Sequence, residues 1–368
     1  FSISPSQRGS SGVSIPTDTS VCGDCLEDMR KGRRSGYPFT TCTKCGPRFT
    51  LLEDLPYDRA STAMKSFELC SDCRKEFEDP HDRRFHHQTV CCKKCGPSYR
   101  LIDKNGTAIP GEPVTMFADL LSEGKIGIMK SWGGMHICCT LDHLRELREW
   151  YGRKQKPFAV MVRDEDSVRK YGNPSEKELE QIRSPHRPIV LIKKKSSAEA
   201  DLISPGLDNI GIFLPYTGAQ HLVFDRLKDD ALIMTSANAP GEPMILNDEE
   251  IMELGADMYL LHDQKIINRA DDSVLRVYGD RTLFIRRSRG HIPSYIPIPL
   301  KGAAAAVGAQ ENLTGSIAFE GRIHPTQHIG DGDGIGVVDY REDAVRTHIR
   351  LLGCIPEIIA MDLHHGYA

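Results

Sequence analysis

Four CxxC pairs, Cys22/Cys25, Cys42/Cys45, Cys70/Cys73 and Cys92/Cys95, leave the segment that carries them few ways to fold. Sixteen residues separate the first two pairs and eighteen the last two. Cys42-Thr-Lys-Cys-Gly-Pro-Arg returns as Cys92-Lys-Lys-Cys-Gly-Pro-Ser, so the segment is an internal repeat. Two residues between thiolates bring both sulfurs into one tight turn, and the Gly after the second pair of each repeat lets the backbone curl. Two such turns close four thiolates around a tetrahedral Zn²⁺ with Zn–S bonds of about 2.3 Å. All four positions are then taken, and the metal is structural. The pattern predicts two zinc ions on these eight cysteines, in preference to redox CxxC motifs or scattered free thiols. Sequential pairing closes each repeat on itself, while a cross-braced arrangement would use the same ligands; the spacing leaves both open. Cys91 is out of phase with the repeat and reads as a bystander. With eight thiolates available, His81, His86 and His87 read as surface or packing residues.

Twelve cysteines in a small secreted chain would imply disulfides, but this chain has 368 residues and opens on a polar stretch, Phe1–Ser11. That stretch lacks the basic flank and apolar centre of an export signal, so metal binding in a reducing cytoplasm is expected. No apolar run approaches the ~20 residues of a membrane span. The first residue is Phe, as in a piece cut from a longer chain. The length calls for two or three domains. A net charge of −4 argues against nucleic acid as the main partner. Within residues 22–100, fifteen Lys and Arg face twelve Asp and Glu. Adding eight thiolates and two zinc dications leaves the region slightly negative, unlike a phosphate-binding ribbon. The fingers read as scaffold or docking surface.

From residue 110 onwards the pattern changes to alternating helix and strand. Met116–Leu121 reads as a short helix ending near Gly124, and Lys125–Lys130 as a strand. Leu141, Leu144 and Leu147 recur at helical spacing. Phe158–Val162, Pro188–Ile192 and Ala231–Met234 are apolar runs of the kind buried on both faces of a sheet. Polar motifs follow these strands, where an α/β fold places its ligand site. Thr235-Ser236-Ala237-Asn238 offers a hydroxyl and an amide without added charge, with Gly241-Glu242-Pro243 turning behind it. Arg153-Lys154-Gln155-Lys156 and Ile285-Arg286-Arg287-Ser288-Arg289-Gly290 add cations, and the three clusters together suit a nucleoside triphosphate. Taken singly, basic runs more often lie on solvated faces. Towards the end, Ala303–Gln310, Thr314–Phe319 and Glu357–Asp362 read as strands and Arg341–Leu352 as a helix. Asp331-Gly332-Asp333-Gly334 lacks the remaining ligands of a calcium loop and reads as a turn.

Here the sequence resembles the HypF family of hydrogenase-maturation carbamoyltransferases. KPFAVMV (156–162), SPGLDNIGIFLPYT (204–217), TSANAPGEP (235–243), RADDSV (269–274) and IRRSRG (285–290) look like its YrdC domain. CGPRFT…LPYDR (45–59) and DPHDRRFHHQ (79–88) look like its zinc repeat, and the segment 327–331 with 361–367 resembles the opening of its actin-like transfer domain. The resemblance implies an N-terminal extension (1–20), zinc fingers at 21–60 and 61–108, a YrdC-like α/β domain at 109–300, and an incomplete actin-like (ASKHA) α/β domain at 301–368. It implies that ATP with Mg²⁺ and carbamate derived from carbamoyl phosphate give carbamoyl adenylate, whose carbamoyl group passes to the C-terminal Cys thiol of a HypE-like partner. Lys130, Arg153 and Ser236 are the implied catalytic residues, and Arg153, Lys156, Ser236, Asn238, Arg286 and Arg289 the nucleotide ligands. The family's acylphosphatase domain has no counterpart in the sequence.

Met129–His136 reads MKSWGGMH, closer to the HypF pattern KGxGGxH than to the PTETVYGL-like segment of threonylcarbamoyl-adenylate synthases, which are the runner-up. A zinc-based interaction module without catalysis is the third reading. Departures from the family pattern are Tyr151 where a Lys is usual, His262-Asp263-Gln264 for His-Asn-Arg, and Asn312-Leu313 for Lys-Asn. His364-His365 stands where the family has His-Pro and reads as an ordinary strand-end pair. Chelation is expected to unfold residues 22–100 and spare the α/β domain.

Overall fold

The computed structural model describes residues 15–152, 155–238, 241–332 and 334–364. Its first quarter has little regular structure. Two short helices, α1 (Gly23–Arg30) and α2 (Ser71–Glu78), each start directly after the first cysteine of a CxxC pair. The rest of this region is turns and single 3₁₀ segments around a small apolar cluster, Tyr37, Phe39, Leu51, Ala63, Met64 and Cys91, too small to impose longer elements.

The central unit is a ten-stranded mixed sheet. Its strands are β1 (Tyr99–Asp103), β2 (Gly127–Lys130), β3 (Met135–Thr140), β4 (Ala159–Val162) and β5 (Ile189–Lys193), followed by β6 (Asn209–Phe213), β7 (Ala231–Ser236), β8 (Met258–His262), β9 (Val274–Tyr278) and β10 (Arg281–Arg286). They lie in the order β1-β8-β2-β3-β7-β4-β6-β5-β9-β10. The apolar runs of β4, β5 and β7 are buried on both faces as their composition predicts. In β4, Val160 and Val162 point to one layer and Met161 to the other, as the two-residue period of a strand requires. β1 pairs antiparallel with β8, so residues 99–103, expected in the second finger, belong instead to the sheet. Leu101 decides this: it is buried among residues of β2 and β8, and the fingers alone could not cover it.

One face of the sheet is covered by helices that include α4 (Leu144–Trp150). The other is covered by α3 (Pro113–Ser122), the helix Gly218–Arg226 and the first finger. α3 begins on Glu112, whose carboxylate caps the amides of Val114 and Thr115, with Pro113 at the first helical position. Thr217 and Gln220 form a reciprocal capping box at the head of Gly218–Arg226.

The last segment builds a five-stranded sheet from β11 (Ile296–Pro297), β12 (Ala303–Ala306), β13 (Ser316–Phe319), β14 (Arg322–Pro325) and β15 (Ile358–Ala360). Helix Ile335–Leu352 packs on it and begins six residues before the predicted start. Its inner face shares a core with the first finger: Phe49, Leu52 and Leu55 pack with Ile317, Val345 and Leu351. No helix among the described residues is long and apolar enough to cross a membrane.

Candidate metal centres and cleft

The metal centres follow from the local turns. Cys22 is the N-cap of α1 and Cys25 lies in its first turn, while Cys70 and Cys73 stand in the same relation to α2. This places each thiolate pair at the positive end of a helix, which favours the ionised form. Cys42/Cys45 and Cys92/Cys95 form the opposing turns, closed by Cys45 N–H to Cys42 O and Cys95 N–H to Cys92 O, each at 3.0 Å. The two glycines that follow serve different ends. Gly46 has φ +105°, which its turn requires, whereas at Gly96 a Cβ would lie 2.1 Å from the Tyr37 hydroxyl.

Sulfur–sulfur distances are 3.7 Å for Cys22–Cys42, 3.8 Å for Cys42–Cys45 and 3.7 Å for Cys45–Cys25. In the second cluster they are 3.7 Å for Cys70–Cys92 and 3.9 Å for Cys92–Cys95. A tetrahedron of Zn–S bonds of about 2.3 Å has edges of about 3.8 Å. A disulfide would need about 2.05 Å. The clusters therefore fit two zinc ions and exclude disulfides. Pairing is sequential: Cys22, Cys25, Cys42 and Cys45 form one group and Cys70, Cys73, Cys92 and Cys95 the other. Cys91 stays outside both and accepts from the Tyr37 hydroxyl at 3.5 Å. His87 is buried between Thr41 and Thr89, and burial pushes its ring down to about 3.

A cleft of about 530 Å³ lies elsewhere, between the large sheet and the C-terminal segment. From the sheet side come Lys156, Ser236, Asn238 and Arg286; His328 and Asp331 face them from the C-terminal side. Ser236 ends β7 and donates to Asn238 Oδ1 at 3.2 Å, while Asn238 Nδ2 donates to Glu242 O at 3.1 Å. Tyr151, at the end of α4, donates its hydroxyl to Asn238 O at 2.7 Å and packs its ring against the core. Arg286 is ion-paired with Asp271, and Arg269 lies over the Tyr340 ring at 4.5 Å. Burial, then the nearby Arg286, push His328 down to about 4, so that it is neutral at pH 7.

Behind the cleft four motifs converge on one buried network. His136 Nε2 bonds Asp272 Oδ2 at 3.0 Å, Arg289 Nε donates to Asp272 Oδ1 at 2.7 Å, and the Arg289 guanidinium lies 3.4 Å from the Tyr216 ring centroid. Burial alone would raise the Asp272 carboxyl, but Arg289 and His136 hold it well below the usual range.

Three families match along the chain: the Sua5/YciO/YrdC family described as "Telomere recombination" at residues 119–288, "HypF finger" at 21–52 and 69–102, and "HypF Kae1-like domain" at 300–368. The carbamoyltransferase HypF of Rhodobacter capsulatus is 37% identical over 100% of this chain and 50% of its own length. The probable carbamoyltransferase HypF of Methanocaldococcus jannaschii is 40% identical over 95% of this chain and 47% of its own. The chain belongs to the HypF family. It spans about half the length of the curated relatives it matches. The crystal structure of T. kodakarensis HypF superposes with a TM-score of 0.92 at 40% identity, covering 97% of this chain and 48% of that one. A full-length HypF in the phosphate- and nucleotide-bound form gives 0.91 at 39% identity, covering 96% and 48%.

Against this HypF frame the predicted site divides. Lys156, Ser236, Asn238 and Arg286 meet in the cleft. Arg153 lies outside the described residues, as do Lys154 and His365. Arg289 does not reach the cleft: with its side chain fully buried, its charge is taken up by Asp272 and by the carbonyls of His186 and Arg187. Lys130 is likewise turned away, buried in an ion pair with Asp248 at 2.6 Å. Asp331 accepts from the Asn312 amide at 2.9 Å, consistent with a turn. Asp271, His328 and Tyr340 line the cleft but were not foreseen. RADDSV and QHIGD carried the first two as motif residues, yet no local signal says that these motifs face each other.

Proposed function

We propose that this chain forms carbamoyl adenylate, as the zinc-finger and adenylating portion of a carbamoyltransferase of hydrogenase maturation. The observation that carries this reading is the shared cleft. The Ser236–Asn238 loop of the α/β domain and the His328–Asp331 segment of the next domain bound one cavity. A relative with the same fold is described as phosphate- and nucleotide-bound.

In this reading Lys156 and Arg286 take the phosphates of ATP, with Arg153 as the third cation that the family resemblance implies. Ser236 and Asn238 hold neutral oxygens by hydrogen bonds, and the carboxylate of Asp331 suits a Mg²⁺ accompanying the nucleotide. A carbamate oxygen attacks the α-phosphorus, the bond to the bridging oxygen breaks, and pyrophosphate leaves. Cationic side chains aimed at the polyphosphate favour that step because negative charge moves onto the leaving group. The carbamoyl carbon then meets the C-terminal thiol of a HypE-like acceptor; the C–S bond forms, AMP leaves, and the thiol proton passes to solvent. The zinc ions take no part in the chemistry, since all four positions of each are sulfur.

The test is ATP-dependent pyrophosphate release with carbamoyl phosphate and a separate acylphosphatase, run beside threonine with bicarbonate. Release with the first pair alone is expected. Release only with threonine would make the chain a threonylcarbamoyl-adenylate synthase. Silence with both would leave a zinc-based interaction module.

A further inference from the structure

The two fingers exchange arginines. α1 presents Cys25 and Asp28 one turn apart, and α2 presents Cys73 and Glu76 in the same relation. Arg33, which follows α1, donates to Cys73 Sγ at 3.4 Å and to Glu76 Oε1 at 3.2 Å. Its neighbour Arg34 donates to Glu76 Oε1 at 2.9 Å and reaches Cys73 Sγ at 3.7 Å. In return Arg83, which follows α2, donates to Cys25 Sγ at 3.1 Å, and both Arg83 and Arg84 pair with Asp28. The symmetry extends to the backbone. Arg34 Nε donates to the carbonyl of Cys91, just before Cys92, and Arg84 Nε to that of Thr41, just before Cys42, each at 2.9 Å.

These are not surface ion pairs, which contribute little. The Arg34 and Arg84 side chains are only 4% and 5% exposed. A zinc ion with four thiolates carries two net negative charges, and holding them away from water requires compensating donors around the sulfurs. Each site's donors lie in the loop that the other metal closes: Arg33 and Arg34 between Cys25 and Cys42, Arg83 and Arg84 between Cys73 and Cys92. An empty second site leaves the first without ordered counter-charges, and the reverse holds equally, since coupling between two binding sites is reciprocal.

We propose that the two zinc sites fill and empty as one unit, each tetrathiolate held by the arginine pair of the opposite finger. The proposal rests on the clusters binding zinc. Native mass spectrometry of the full chain, stripped and refilled with one equivalent of zinc, tests it. Apo and two-zinc chains should dominate, with the one-zinc form well below the half that equal, independent sites would give. A one-zinc form at half or more would overturn the coupling while leaving the zinc assignment intact. Freshly purified protein without zinc would remove both. Arg83→Gln and Arg33→Gln touch the more exposed member of each pair. Each should weaken zinc binding at the opposite finger's site about ten- to a hundredfold, the usual effect of losing a partner of a metal ligand, and so speed its release to a chelator. Unchanged release in a folded variant would also overturn the proposal, and the parent titration decides the matter if the variants do not fold.

Discussion

The two fingers share one sequence repeat and one ligand set, yet they are embedded differently. Cys25, Cys42 and Cys45 belong to the core beneath the large sheet, with Phe117, Tyr216 and Phe224. Cys73 and Cys92 share only a small cluster with Val90, and Cys70 and Cys95 remain partly exposed. The first finger is therefore a wall of the α/β domain and, through Phe49 and Leu52, of the C-terminal segment too. The second lies further out, held by its metal, by the exchanged arginines and by a small core in which Met64 and Cys91 pack with Tyr37, Phe39 and Leu51. A repeat specifies a metal site; its surroundings decide what depends on that site. The packing of the first finger speaks against the expectation that chelation spares the α/β domain, because one face of the sheet would lose part of its cover.

The sharpest way to break the comparison is Cys42→Ser against Cys70→Ser. The first should destabilise the sheet domain by on the order of 4–5 kcal/mol or more, the range reached when a metal is lost from a core. The second, with zinc in excess so that the coupled first site is refilled, should open mainly residues 69–98. Hydrogen exchange over β2, β3 and β8 under that excess of zinc reads the difference, and equal exposure in both variants would mean that the two fingers support the sheet equally. Next in size is Asp272→Ala, which leaves Arg289 buried and unpaired and should cost about 3–5 kcal/mol in denaturant unfolding. An effect below 1 kcal/mol would show that the network behind the cleft is not what supports it.

In the cleft, Lys156→Ala should weaken ATP by about 1.5–3 kcal/mol, or roughly ten- to a hundredfold, with little change in unfolding. Ser236→Ala, losing a neutral bond, should cost less. Calorimetric titrations matching the parent would place the nucleotide elsewhere. Smallest is Tyr151→Phe, expected to cost about 0.5–1.5 kcal/mol of stability through the lost bond to Asn238. Tyr151→Lys should cost more, since it also removes a ring packed against the core and stacked on Trp150. A gain in ATP affinity with unchanged stability would instead make this position the phosphate contact that other family members fill with lysine.

The zinc ligands, the strands β4, β5 and β7, and the polar loop after β7 were legible because each is a local pattern. Cysteine spacing, two-sided apolar runs and a hydroxyl–amide cluster all reflect chemistry within a few residues of chain. The pairing of the cysteines, the fate of Arg289 and Lys130, and the meeting of Arg286 with His328 were not legible. Each depends on what stands opposite in space. A basic residue reads the same whether it faces a phosphate, as Arg286 can, or a buried carboxylate, as Arg289 does. Sequence by itself determined the family, the eight sulfur ligands and the α/β class. Only the tertiary structure decided that β1 joins the large sheet, that the arginines cross between fingers, and that the cleft has walls from two domains. The physical reason is that charge compensation and burial are settled between segments far apart in the chain, and no local spacing records them.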